Sequence, residues 1–244
     1  MEALKCIGLY GGTFDPVHLG HLAVAENLLR LFALDGILFI PAYVAPHKRN
    51  APVTPALHRY AMLALATQHE DRFRVSSIEL DEPERPYTIE TLARLQVVFS
   101  GTARLFFIMG ADSWEEITTW RDWERVLTMT DHIVVTRPGY ELSAAHVTSS
   151  VREGIVDVRG VEREAVKRIV GERGATKIYL TDAVIADISS RAIRHAARRQ
   201  NSEVDLTAPV PPPVADYIKK YGRYRELHGS EFFDAETGFN KHRQ

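Results

Sequence analysis

Two histidines three residues apart, close behind a pair of glycines, are the residues of this sequence best suited to chemistry. They stand in Gly11-Gly12-Thr13-Phe14-Asp15-Pro16-Val17-His18-Leu19-Gly20-His21. At that spacing His18 and His21 share one face of a helix's first turn. Gly20 removes a side chain between them. Gly11 and Gly12 let a backbone pass close to a phosphate. The free N–H groups and dipole of a helix start favour an anion. The chemistry this suits is a polyphosphate gripped by two imidazoles. Taken singly, each part has a plainer reading. A glycine pair after a strand is usually a turn, and two histidines could bind zinc, but no third ligand is evident. There is neither a Gly-x-Gly-x-x-Gly nor a Gly-Lys-Ser/Thr phosphate loop, so dehydrogenase and P-loop readings lose support.

Other segments carry compatible groups. In Asp187-Ile188-Ser189-Ser190-Arg191-Ala192-Ile193-Arg194, Ser189 or Ser190 can cap a helix whose amides face an anion, with Arg194 one turn along. Arg191, Arg194, His195 and Arg198 share roughly one face, which suits an ATP-sized anion, or RNA. Lys48 follows Pro46-His47 after a strand; alone, it reads as a solvated lysine. Pro86-Tyr87-Thr88 precedes a helix, where backbone amides suit a carboxylate. Trp114, Trp120 and Trp123 read first as core or rim packing. Asp112 follows Gly110 at a strand end, placed for ribose hydroxyls or a metal. Asp15 reads most simply as a turn cap before Pro16, or else holds a metal through water.

These groups need a scaffold, and the chain alternates strand and helix patterns. Strands are expected at 6–10, 36–41, 73–80, 103–110, 131–139 and 177–180. Helices are expected from Leu19 to Leu34, after a Thr54 cap with Pro55 at the first helical position, from a Thr88 cap to Phe99, and from Trp123 to Leu127. Further helices are expected from Val161 to Gly171, from Ser189 to about Arg199, and from Val214 to Tyr221. Leu57, Ala61 and Leu65 mark the expected inner face of the second helix. The order predicts an α/β fold: a Rossmann-like, doubly wound, mostly parallel sheet with helices on both faces. Residues 141–175 are weakly patterned and read as an insertion or embellishment rather than a second domain. The proline run at 208–214 reads as a rigid entry to the last helix rather than an SH3-type ligand. Residues 225–244 form a polar tail.

Composition bounds the partners. The 244 residues hold 30 Lys plus Arg against 32 Asp plus Glu, a formal net charge of −2. That balance argues against coating nucleic acid, though not against a local basic site. One cysteine cannot form an internal disulfide, no signal peptide is apparent, and no run approaches a membrane span. A cytoplasmic location is expected, with no membrane or nucleic-acid partner. The oligomeric state stays open, a homo-oligomer included.

The segment GGTFDPVHLGH resembles the signature of the nucleotidyltransferase superfamily that uses His-x-Gly-His. With PAYVAPHK, PYTIETL, MGADSW, TTWRDWE, RPGY, DISSRAIR and VPPPVADYIKKYGRY, the sequence is similar to the bacterial nicotinate-nucleotide adenylyltransferase family from about Ile7 to Tyr224. The resemblance implies a single nucleotidyltransferase domain over 1–224. It implies transfer of AMP from ATP to nicotinate mononucleotide, giving deamido-NAD and pyrophosphate for NAD biosynthesis. The attacking phosphate is already anionic, so positioning and charge stabilisation would carry the catalysis. The implied catalytic residues are His18, His21, Lys48 and Arg194. ATP would lie on Gly11, Gly12, Thr13, Phe14, Gly20, Gly110, Asp112, Ile188, Ser189 and Ser190. The mononucleotide would lie on Tyr87, Thr88, Trp120, Arg121 and Arg137, with Trp120 stacked on the pyridine ring and the Arg121 N–H on the carboxylate. Mg²⁺ would arrive with ATP and be held chiefly by phosphates, without a protein metal site. Arg191 departs from the small residue common in the family at that place. Alternatives are an acceptor of nicotinamide mononucleotide or phosphopantetheine, or an ATP-binding regulator without turnover. A nucleic-acid-binding module is a poorer fit.

Overall fold

The computed structural model describes residues 4–43, 53–81, 86–136, 141–172, 174–183, 188–198 and 209–224. Its strands are β1 (Lys5–Gly12), β2 (Gly36–Pro41), β3 (Phe73–Val75), β4 (Ala103–Gly110), β5 (Asp131–Val135), β6 (Ile155–Asp157) and β7 (Ile178–Thr181). They form one sheet in the order β3-β2-β1-β4-β5-β7-β6, and every pairing is parallel. The helices are α1 (Leu19–Leu31), α2 (Ala56–Thr67), α3 (Thr88–Val98), α4 (Ala111–Glu115), α5 (Trp123–Met129), α6 (Ser149–Glu153), α7 (Arg163–Gly171), α8 (Ser190–Arg198) and α9 (Pro212–Lys220).

Strand alternation builds two apolar layers. Phe106 and Ile108 of β4 face one layer, with Leu28 of α1, Met62 of α2, Val166 of α7, Ile193 of α8 and Val214 of α9. Leu105, Phe107 and Met109 face the other, with Leu92 of α3, Trp114 of α4 and Leu127 of α5. A strand covered on both faces reads as a continuous apolar run, which is why ARLFFIMG is so legible. The order reverses direction between β1 and β4, and ligands of open α/β sheets bind at the carboxyl ends beside such a switch. Gly11 and Gly12 end β1, and Gly110 ends β4. Two distant glycine segments therefore meet at one crevice.

Several elements differ from expectation. β3 stops at Val75 instead of running to 80, because the Ser76 hydroxyl takes the Ile78 N–H and the Ser77 carbonyl takes those of Leu80 and Asp81. α1 ends at Leu31, short of Leu34, where Ala33 turns to a φ of 50°. Thr54 does not cap α2; Pro55 is the cap residue, and the Thr54 N–H is drawn to Asp15 instead. Thr88 is the first residue of α3 rather than its cap, which is Tyr87. The inner face of α2 is also rotated: Leu57 is 75% exposed, while Arg59, Met62 and Leu63 are fully buried. Residues 141–175 contain α6, β6 and α7; β6 is an edge strand of the same sheet, paired with β7. β5 ends at Val135, and 137–139 lie outside the described residues.

Candidate active site

His18 and His21 open α1, as their spacing requires. The His18 backbone N–H donates to His21 Nδ1 at 3.3 Å. A neutral imidazole accepting at Nδ1 carries its proton on Nε2, so the His21 donor points away from the helix start. The two rings stack with centroids 3.7 Å apart and planes 28° from parallel. His18 is buried, and that burial pushes its pKa down to about 4, so the ring is neutral at neutral pH. Phe14 stands edge-on to His21 at 5.0 Å and to Tyr10 at 5.4 Å. Its ring is core, so its contribution to a nucleotide would come from its backbone, which turns at a φ of 47°. A Cβ on Gly12 would lie 2.9 Å from that ring, and one on Gly20 would lie 3.0 Å from His18 Nδ1. Both glycines therefore make room for rings.

The Ser189–Arg194 segment comes to the same loop. Ser189 Oγ accepts the Ala192 N–H at 3.1 Å and caps α8, while the Ser190 hydroxyl donates to the Pro16 carbonyl at 3.0 Å. Arg194 donates to the Asp15 carbonyl at 2.6 Å. Ile188 lies 3.5 Å from the position of a Gly20 Cβ. Arg191 and Arg198 point to solvent. Asp15 does not cap its own turn. Its carboxylate accepts the Thr54 N–H at 3.2 Å and the Tyr224 hydroxyl at 2.7 Å, so distant segments, not Pro16, use it. Among the described residues, no cluster of three His, Cys, Asp or Glu could hold a metal ion.

Two of the residues expected at the mononucleotide also converge. Tyr87 and Arg121, far apart in sequence, meet: the guanidinium lies over the phenol ring, 4.8 Å from its centre. Glu90 takes the Tyr87 N–H at 3.0 Å and Arg121 Nη1 at 3.3 Å. This pair is exposed, so it contributes at most about 1 kcal/mol. Trp120 is half-buried and stands edge-on to Phe107 at 6.3 Å, whereas Trp114 is fully buried in the core. Asp112 is exposed beside Gly110. Lys48 and Arg137 lie outside the described residues.

Two charges, half-buried Glu79 and fully buried Arg59, were not read as site residues. Glu79 accepts the Thr91 hydroxyl at 2.9 Å and the Tyr43 N–H at 3.3 Å, and burial raises its pKa. Arg59 donates to carbonyls on three segments around the histidine loop. A cavity of about 720 Å³ lies at the opposite, amino edge of the sheet, where Cys6, Arg104 and Asp131 line it. No element of the histidine motif borders it.

Comparison with known proteins bears on the same residues. The cytidylyltransferase-like family matches residues 9–196. A probable nicotinate-nucleotide adenylyltransferase of Symbiobacterium thermophilum is 36% identical over 91% of this chain and 98% of its own. One from Thermus thermophilus is 37% identical over 90% and 99%. The chain belongs to the nicotinate-nucleotide adenylyltransferase family. The fold agrees across a wider distance. The Plasmodium falciparum nicotinic acid mononucleotide adenylyltransferase complexed with NaAD superposes with a TM-score of 0.66 at 20% identity, over 90% of this chain and 97% of that one. The family match runs from Leu9, before the glycines, to Ala196, past Arg194, so it takes in both the histidine loop and the start of α8.

Proposed function

We propose that this protein transfers AMP from ATP to nicotinate mononucleotide, releasing pyrophosphate and forming deamido-NAD, as a step of NAD biosynthesis. The observation that carries the reading is the stacked His18–His21 pair at the start of α1, just past the carboxyl end of β1, where the strand order reverses toward β4. The acceptor phosphate attacks the α-phosphorus in line, and pyrophosphate leaves. The nucleophile needs no base, so the residues have two tasks: to align the phosphates and to meet the developing charge. His18 and His21 donate to the phosphates at the α position, Arg194 and the start of α8 hold the triphosphate, and Lys48 adds a mobile charge. Gly11, Gly12, Thr13 and Gly20 let the chain approach, and Gly110 and Asp112 meet the ribose. Trp120 stacks on the pyridine ring, while the amides at Thr88 and Arg121 receive its carboxylate, with Tyr87 and Arg137 beside them. ATP enters as its magnesium complex, with the ion held mainly by phosphate oxygens and water. We read residues 1–224 as one nucleotidyltransferase domain. The site asks for small molecules alone, and a cytoplasmic enzyme fits a sequence with a single cysteine, which cannot form an internal disulfide.

The test is pyrophosphate release from magnesium-ATP with nicotinate mononucleotide, and separately with nicotinamide mononucleotide. The expected result is release that depends on the acceptor and is faster with the acid. Folded protein that binds ATP but forms no product with either mononucleotide would overturn the reading.

A further inference from the structure

Arg59 is a charged residue with 0% exposure, on the inner face of α2. Burying a guanidinium is unfavourable unless its donors are satisfied. Among the described residues, four of its five N–H groups have partners, all of them backbone carbonyls. Nε donates to Thr54 O at 2.8 Å and Nη1 to Thr13 O at 2.7 Å. Nη2 donates to Ala42 O at 2.6 Å and to Tyr43 O at 3.0 Å. Thr13 belongs to the loop that carries the histidine pair. Ala42, Tyr43 and Thr54 flank the segment that holds Lys48 in sequence. The carboxylates of Asp15 and Glu79 offset the charge from a distance, and each holds one of the same segments by its N–H: Thr54 for Asp15, Tyr43 for Glu79.

We propose that Arg59 is a positioning residue for adenylyl transfer, whose guanidinium locks the Thr13 loop and both flanks of the Lys48 segment into one unit. This deepens the adenylyltransferase reading and rests on it. A planar fork can reach carbonyls in several directions at once; an ammonium on the same stem is a single point and cannot. The loop carbonyls aim inward at the guanidinium, which leaves Gly11, Gly12 and the start of α1 to face the nucleotide. With the fork lost, the Thr13 loop, the Ala42–Tyr43 chain and Thr54 would move independently. The folded core would remain, since Met62 and Leu63 on the same face still pack.

The test uses the full chain with Arg59→Lys, and Arg59→Ala with and without added guanidinium ion. Wild-type turnover is measured first, and its failure would strike the functional reading rather than this one. The expected result for Arg59→Lys, well below its melting transition and with active sites counted by bound ATP, is a fall in kcat of about 100-fold, the scale of an ångström-sized misplacement. KM for ATP should rise. Guanidinium should restore at least an order of magnitude of the kcat lost in Arg59→Ala. A purely structural role would reduce the folded fraction and leave kcat per active site unchanged. Folded Arg59→Lys with kcat within about threefold of wild type would overturn the proposal. Hydrogen exchange on the unmodified protein decides even where variants do not fold. Amides at 12–15, 42–43 and 53–54 should open together and gain protection together with ATP; independent opening of the three would overturn it.

Discussion

Gly20→Ala separates stability from function with opposite signs. Gly20 lies in α1 with ordinary helical backbone, so alanine is tolerated by the main chain and lowers the entropy lost on folding. That gain is about 1 kcal/mol at an interior helical position and less for Gly20, the second residue of α1. The new Cβ, however, would lie 3.0 Å from His18 Nδ1, 3.1 Å from His18 Cε1 and 3.5 Å from Ile188 Cβ. His18 must therefore withdraw by a few tenths of an ångström. It cannot do so freely, because it is 94% buried and stacked at 3.7 Å on His21. The strain offsets part of the helix gain, so the melting temperature should hold or rise by up to about 4 °C. Complete loss of one preorganised donor costs about 100- to 1000-fold in kcat, or roughly 3–4 kcal/mol. A displaced donor keeps part of that, so we expect about a tenfold fall, near 1.4 kcal/mol. His18→Ala should show the full loss with its fold retained. The assay is pyrophosphate release at saturating ATP and mononucleotide, alongside a thermal melt. Gly20→Ala with wild-type kcat would refute the claim that His18 acts from its observed position.

Trp120→Ala should raise KM for the mononucleotide by about tenfold through lost stacking, leaving KM for ATP near wild type; steady-state kinetics in each substrate check it. His18 and His132 both have pKa values lowered by burial to about 4. Protonation then favours the unfolded chain, whose histidines titrate near 6.5. Stability should be complete above about pH 6.5 and fall as pH drops toward 4, by on the order of 3 kcal/mol for each ring. Urea unfolding across that range tests it, and His132→Gln should shallow the fall. At the amino edge, Arg104 Nε meets Asp131 Oδ2 at 2.6 Å, and Asp131 Oδ1 accepts the Lys177 N–H at 2.9 Å. Asp131→Asn leaves the guanidinium half-compensated and should cost about 3 kcal/mol in urea unfolding, with kcat unchanged because the nucleotide crevice is at the other edge.

The residues that sequence reading found and those it passed over differ in a physical way. β2 and β4 were legible to the residue because both faces of a central strand demand apolar side chains. The histidine and serine segments were legible as helix starts because their signals are local: histidines on one turn, serines before a helix. β6 was missed because a short, half-buried edge strand has no continuous apolar run. The tie between Asp15 and Tyr224 spans almost the whole chain, and nothing near either residue signals it. Arg59 is the instructive failure. Periodicity counts an arginine as solvent-facing, so the pattern through Leu57, Ala61 and Leu65 rotated α2 away from its Arg59 face, leaving Leu57 exposed although Leu65 does pack on the core. Its partners could not correct the error, since they are carbonyls, which every residue possesses. A clamp made of backbone leaves no composition, spacing or charge pattern of its own. The same property makes it insensitive to which side chains occupy the held loops. One buried guanidinium can therefore fix the geometry of a site while Thr13, Ala42, Tyr43 and Thr54 keep their side chains for other work.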